Sequence, residues 1–190
     1  IAMTAGLGVG AKNLVFNSSI ETFFIQNDPA RDAYEAFRSK FGDDQVVIVA
    51  YEPVSGGIFD EPNLVALQTL TRRLGALSGR SGIERVVSIT NAFYADRSKG
   101  FSQASHFIPD IVPKEAAELD VLKKRALGES LVRGGLISED LSAAAILIFF
   151  ESTPQAFAAK GVALTEIDRV AREAVGEASG RIRVSGVPVV

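Results

Sequence analysis

The chain has 190 residues, with 20 Lys and Arg against 23 Asp and Glu and a net charge of −3. Its length suits one domain or two small ones, and 47% hydrophobic with 23% charged residues describes a chain that folds around a core. The absence of cysteine and the single histidine exclude disulfide scaffolds, thiolate sites and multi-histidine metal sites, while the acidic balance argues against nucleic acid as a partner.

Residues 1–16 read as a leader, either a cloning remnant or a membrane-proximal stretch, because the chain opens at Ile1 on small, glycine-rich residues. Gly6, Gly8 and Gly10 follow no strand and lack the spacing of a phosphate-binding loop. Both ends look cut from a longer protein, and the longest apolar run, 143–150, is far below the ~20 residues of a membrane span. Residues 17–190 read as one domain.

Asp28 and Pro29 open a first helix, on which Ala30, Tyr34, Phe37 and Phe41 recur at helical spacing until Gly42. Residues 45–51 form a β-branched run suited to a strand buried on both faces. Asp60, Glu61 and Pro62 start a second helix with an apolar stripe of Leu64, Leu67, Leu70, Leu74 and Leu77, and residues 84–90 read as a strand. The order returns later. Residues 143–151 form a central strand, Thr165 is expected to cap a helix carrying Ile167, Val170, Ala171, Ala174, Val175 and Ala178, and residues 181–187 alternate as a half-exposed strand. Two strand–helix–strand units in tandem predict an α/β fold of α+β sandwich type, a ferredoxin-like split β-α-β arrangement.

Between the units lies an insert, residues 92–137. Phe93, Tyr94, Phe101, Phe107 and Ile108 fall in its least regular part, and Pro113 opens a helix with Asp120 and Lys124 as an i, i+4 pair. The insert is expected to cover the sheet face that the helices leave bare. Its aromatics pack as a lid or line an apolar cavity, for which Asn91, Ser102, Gln103 and Ser105 supply polar groups. The candidate ligand-binding set is therefore Asn91, Phe93, Tyr94, Phe101, Phe107, Ile108 and Ile111.

Catalytic groups do not converge. His106 has Asp110 four residues on but no nucleophile elbow. Asp43 and Asp44 lack further carboxylates nearby and read as a solvated turn. Glu52 and Glu151 end the two central strands and would share a proton or a cation only if they met at one sheet edge. The reading is of no catalytic residue, no metal site and no cofactor.

Several segments carry a resemblance. Asn27 to Phe37 with Phe41 to Asp44, Leu70 to Leu74, Gly82 to Thr90, Leu136 to Asp140, and Val184 to Val189 resemble, in that order, the first periplasmic porter domain of the resistance–nodulation–division (RND) superfamily, in its hopanoid-exporter and MMPL-like lipid-transporter branch. The resemblance spans residues 17–190. It implies a ferredoxin-like porter subdomain on the periplasmic face of a bacterial inner membrane, and a substrate-binding rather than catalytic role. It further implies an apolar lipid cargo, a sterol or hopanoid, and as partners a second periplasmic domain of the same transporter and periplasmic carrier or adaptor proteins. Proton coupling would reside in transmembrane helices outside this chain. The alternative is a docking module of the same transporter with no stable ligand.

Overall fold

The structure, a computed structural model, describes residues 46–95, 104–151, 153–176 and 179–186, all within the unit Asp43–Val190. The helix expected from Asp28, and Asp43 and Asp44, lie outside the described residues. In chain order the elements are β1 (Val46–Pro53), α1 (Glu61–Gly75), β2 (Ile83–Val87), β3 (Phe93–Ala95), β4 (Ala104–His106), α2 (Ala116–Gly128), β5 (Ala144–Phe150), α3 (Pro154–Val175) and β6 (Gly180–Gly186).

Four strands form one sheet in the order β2-β5-β1-β6, with every neighbouring pair antiparallel. β5 therefore separates the parallel pair β1 and β2, and β1 separates the parallel pair β5 and β6. This is the split β-α-β arrangement of an α+β sandwich, as the tandem units predict. One face of the sheet carries the core. Val47, Val49 and Tyr51 stand opposite Ile148, Ile146 and Ala144, all buried. Over them lie Leu64, Leu67, Leu70 and Leu74 of α1 and Ala163, Ile167 and Ala171 of α3. Burying one leucine contributes about 1.5–3 kcal/mol, so packing of this stripe, more than helix propensity, holds α1 in place.

α3 differs from its expected start. It begins at Pro154, where the Thr153 hydroxyl accepts a hydrogen bond from the Ala156 amide at 3.1 Å. Thr165 lies mid-helix and donates its hydroxyl to the Gly161 carbonyl one turn earlier instead of capping. A threonine followed by an amphipathic run signals a cap, but the Thr153-Pro154 pair upstream is the stronger start. The helix ends at Val175, before Gly176 at φ +69°.

β2 stops at Val87, short of the expected Thr90, because side chains bend the chain. The Asn91 carboxamide accepts from the Ser88 amide and donates to the Val86 carbonyl, and the Ser88 hydroxyl accepts from the Thr90 amide.

The insert contains a two-stranded hairpin, β3–β4, which no alternation in its sequence announces. Its described residues do not lie across the second sheet face as expected. Gln68 of α1 donates to the carbonyls of Pro109 and Asp110, and Leu136 accepts from the Ala145 amide beside the start of β5. Phe107, Ile108, Val112, Leu122 and Ala126 join the helix-side core. On the second face Val46, Ala50, Ala145, Leu147 and Phe149 remain half-buried and Ile48 is 39% exposed. The Arg85 guanidinium lies 3.8 Å over the Phe149 ring.

Candidate functional site

The residues expected to bind a ligand are distributed, not gathered. Asn91 is committed to the turn after β2, with both ends of its carboxamide bonded to backbone. Phe93 and Tyr94 are neighbours on β3 and so point to opposite faces of the hairpin. Phe93 is 74% exposed and lies against the His106 ring across the hairpin, centroids 5.2 Å apart. Tyr94 turns inward, meets Phe107 edge to face at 5.6 Å, and is covered by the Arg125 guanidinium at 4.7 Å. Phe107 and Ile108 are buried. Ile111 is 86% exposed, and Phe101 lies outside the described residues. Tyr94, Phe107 and Arg125 form a packed stack in which the guanidinium lies over the face of the Tyr94 ring. A closed stack leaves no volume for a ligand between its rings.

The polar groups of this region are similarly satisfied. The Thr71, Ser88 and Thr90 hydroxyls form a buried chain with both oxygen–oxygen distances at 2.8 Å, linking α1 to the turn after β2. The imidazole of His106 meets Asp110 at 3.2 Å, exposed, and hydrogen-bonds to no hydroxyl among the described residues. Glu52 and Glu151 do not share an edge. β1 and β5 run antiparallel, so their C-terminal ends lie at opposite ends of the sheet, roughly 25 Å apart at about 3.3 Å per residue. Glu52 instead pairs with Arg183 at 3.6 Å. Among the described residues no cluster of three or more potential metal ligands occurs.

Three clefts among the described residues lie elsewhere. One of about 430 Å³ runs between the α1–β2 turn and α3, lined by Leu77, Arg80, Ser81, Ile83, Val162, Ala163, Thr165 and Glu166. One of about 340 Å³ lies between the end of α3 and β6, where Arg172, Arg181 and Arg183 surround Val175 and Ile182. A third, about 210 Å³, separates the loop before α1 from α2.

The first cleft arises because α3 presents small side chains where it crosses the turn. Ala163 is buried at its floor with Leu77 and Ile83, while Val162 stands 69% exposed at the rim. Ser81 holds φ +51°, a left-handed conformation that costs a non-glycine residue energy and that collects at working sites. At the mouth, Arg169 donates to both oxygens of Glu166 at 2.7 and 3.0 Å. That bond, and the field of Arg80 beyond it, hold the Glu166 carboxyl below its usual range. Sequence reasoning missed this cleft. Its only signal was the cluster of small residues around Gly161 and Ala163, which aligns with the α1–β2 turn only once the helices are placed.

No protein-family model and no curated protein matches the chain.

Proposed function

We propose that this chain is the periplasmic substrate-binding domain of an RND-type inner-membrane lipid transporter, capturing an apolar lipid, a sterol or hopanoid, for export toward the outer membrane. The observation that carries the reading is where the family-like segments fall in the fold. Leu70 to Leu74 form the last turns of α1, Gly82 to Thr90 contain β2 and its terminal turn, Leu136 to Asp140 lead into β5, and Val184 to Gly186 end β6. They fall at a helix end, at strands and at a strand approach of the two β-α-β units, the architecture that the resemblance implies, while Asn27 to Asp44 lie outside the described residues. An apolar cleft of several hundred Å³ lies within the usual size of small-molecule sites. No helix among the described residues is long and apolar enough to cross a membrane, so transport by this reading requires segments outside them.

The test is ligand capture. The purified chain is incubated with total bacterial lipid extract, re-isolated, and its retained lipids are identified by mass spectrometry against a heat-denatured control. Selective enrichment of a sterol or hopanoid is expected; recovery of the same lipids at the same level from the control refutes the reading.

A second reading, a docking module without its own ligand, is favoured by the packed Tyr94–Phe107–Arg125 stack and the half-exposed second sheet face. On that reading the partner is the transporter's second periplasmic domain. Binding of that domain with no lipid retained by either would select it.

A further inference from the structure

The cargo site of this domain need not be the aromatic insert, whose described residues are packed or point to solvent. The cleft between the α1–β2 turn and α3 has the opposite character. Its floor is apolar and buried, built by Leu77, Ile83 and Ala163. Its rim carries Val162, an exposed apolar side chain that extends the apolar lining outward. Its polar groups stand only at the mouth. This is the division a lipid with one polar end requires.

The charge at the mouth selects the polar end. Arg80 and Glu166 line the cleft, and Arg169 beside it binds both Glu166 and Glu173. Four formal charges thus sum to zero, so a carboxylate or phosphate head meets Glu166 as well as Arg80, and an ammonium meets Arg80 as well as Glu166. The Arg80 guanidinium makes no hydrogen bond among the described residues and so offers unused donors, whereas the Glu166 oxygens retain lone pairs beyond those taken by Arg169. A hydroxyl both donates and accepts, and it carries no charge to be repelled by either partner.

We infer that the cleft bounded by Arg80, Ser81, Val162, Ala163 and Glu166 is the lipid site, and that it takes a neutral apolar body bearing one hydroxyl, with the hydroxyl at Arg80 and Glu166. The assignment rests on the lipid-capturing reading above and adds where the lipid sits and which head group is selected. The left-handed Ser81 fixes the turn that presents Arg80, so the mouth is shaped before ligand arrives.

The experiment is photolabelling of the purified chain with a diazirine-bearing cholestanol, followed by peptide mapping, with cholesterol, cholesteryl sulfate and palmitate as competitors. Label is expected in the peptides spanning 77–83 and 162–166, displaced by cholesterol at lower concentration than by either anion. Arg80→Ala is expected to raise the apparent Kd for cholesterol about five-fold, the loss of one hydrogen bond. Val162→Trp, at an exposed rim position that leaves the core intact, is expected to suppress the label, while Leu131→Ala, at an exposed residue that does not line the cleft, leaves it unchanged. Saturable label confined to 93–111 or to the second sheet face overturns the inference and leaves the lipid-capturing reading standing. Stronger competition by the anions overturns the head-group assignment. Absence of saturable label together with absence of retained lipid overturns both.

Discussion

Two glycines in the α1–β2 turn allow backbone strain and packing to be separated. Gly79 and Gly82 hold nearly the same left-handed φ, +77° and +75°. A Cβ added at Gly79 meets nothing within 4 Å, whereas one at Gly82 would lie 2.4 Å from the Ala156 Cβ and 2.6 Å from its Cα. The left-handed conformation costs an alanine about 1–2 kcal/mol at either site. At Gly82 the clash adds about 1–3 kcal/mol of overpacking. Little can relax it. The Gly82 carbonyl accepts from the Glu151 amide at 2.8 Å, and the Ala156 amide is tied to the Thr153 cap, so both sides of the contact are anchored. Gly79→Ala should therefore lose about 1–2 kcal/mol and Gly82→Ala about 2–5 kcal/mol. In urea, with a slope of roughly 2 kcal/mol/M for a domain of this size, the midpoints should fall by about 0.5–1 M and 1–2.5 M. Ala156→Gly placed on Gly82→Ala should recover part of the difference, because the two sites touch and their effects couple. Equal losses at the two glycines, with no recovery on changing Ala156, would refute the contact between the turn and the start of α3.

Two further outcomes test the polar framework. Ser88→Ala removes the hydroxyl shared by Thr71 and Thr90 in the core; leaving buried partners unsatisfied should cost about 1–3 kcal/mol in denaturant unfolding, with faster amide exchange at Thr90, and a loss under about 0.5 kcal/mol would show that the chain of hydroxyls contributes little. The Asp140 carboxyl is held down to about 2, first by the Ser138 hydroxyl and then by the hydroxyl and amide of Ser142. A folded value below the unfolded one stabilises the protein above roughly pH 4 and is lost as pH falls toward 2. Wild type should therefore be more stable than Asp140→Asn at pH 6, with the gap closing between about pH 4 and pH 2 in unfolding measured across that range; a gap unchanged at pH 2 would place its origin elsewhere than the carboxyl.

Much of the fold was written in local pattern. The leucine stripe of α1, the alternation of β6 and the apolar run of β5 each follow from the period at which a side chain returns to one face, and the repeat of strand, helix and strand restricts the topology to a few choices. The Asp120–Lys124 pair, 2.6 Å apart, follows from helical spacing alone. Local signals misplaced the start of α3 by twelve residues because Thr165 imitates the cap that Thr153 supplies, and the hairpin of the insert escaped notice because its strands span only Phe93–Ala95 and Ala104–His106, too short to show a period.

The candidate site was the part least legible in sequence. Aromatic content drew attention to the insert, but composition cannot tell a ring that lines a cavity from one that fills it. That distinction was decided when Arg125, eighteen residues or more from either ring, came to lie over Tyr94 and Phe107. The separation of Glu52 from Glu151 was decided by the antiparallel pairing of β1 and β5, and the cleft at Arg80 by the crossing of α3 over a turn some eighty residues earlier in the chain. By itself the sequence determined the strands and helices of the two β-α-β units to within their ends, because periodicity and turn chemistry act over a few residues. Only the tertiary structure decided which side chains meet and where space is left between them, because both depend on how elements far apart in the chain pack against one another.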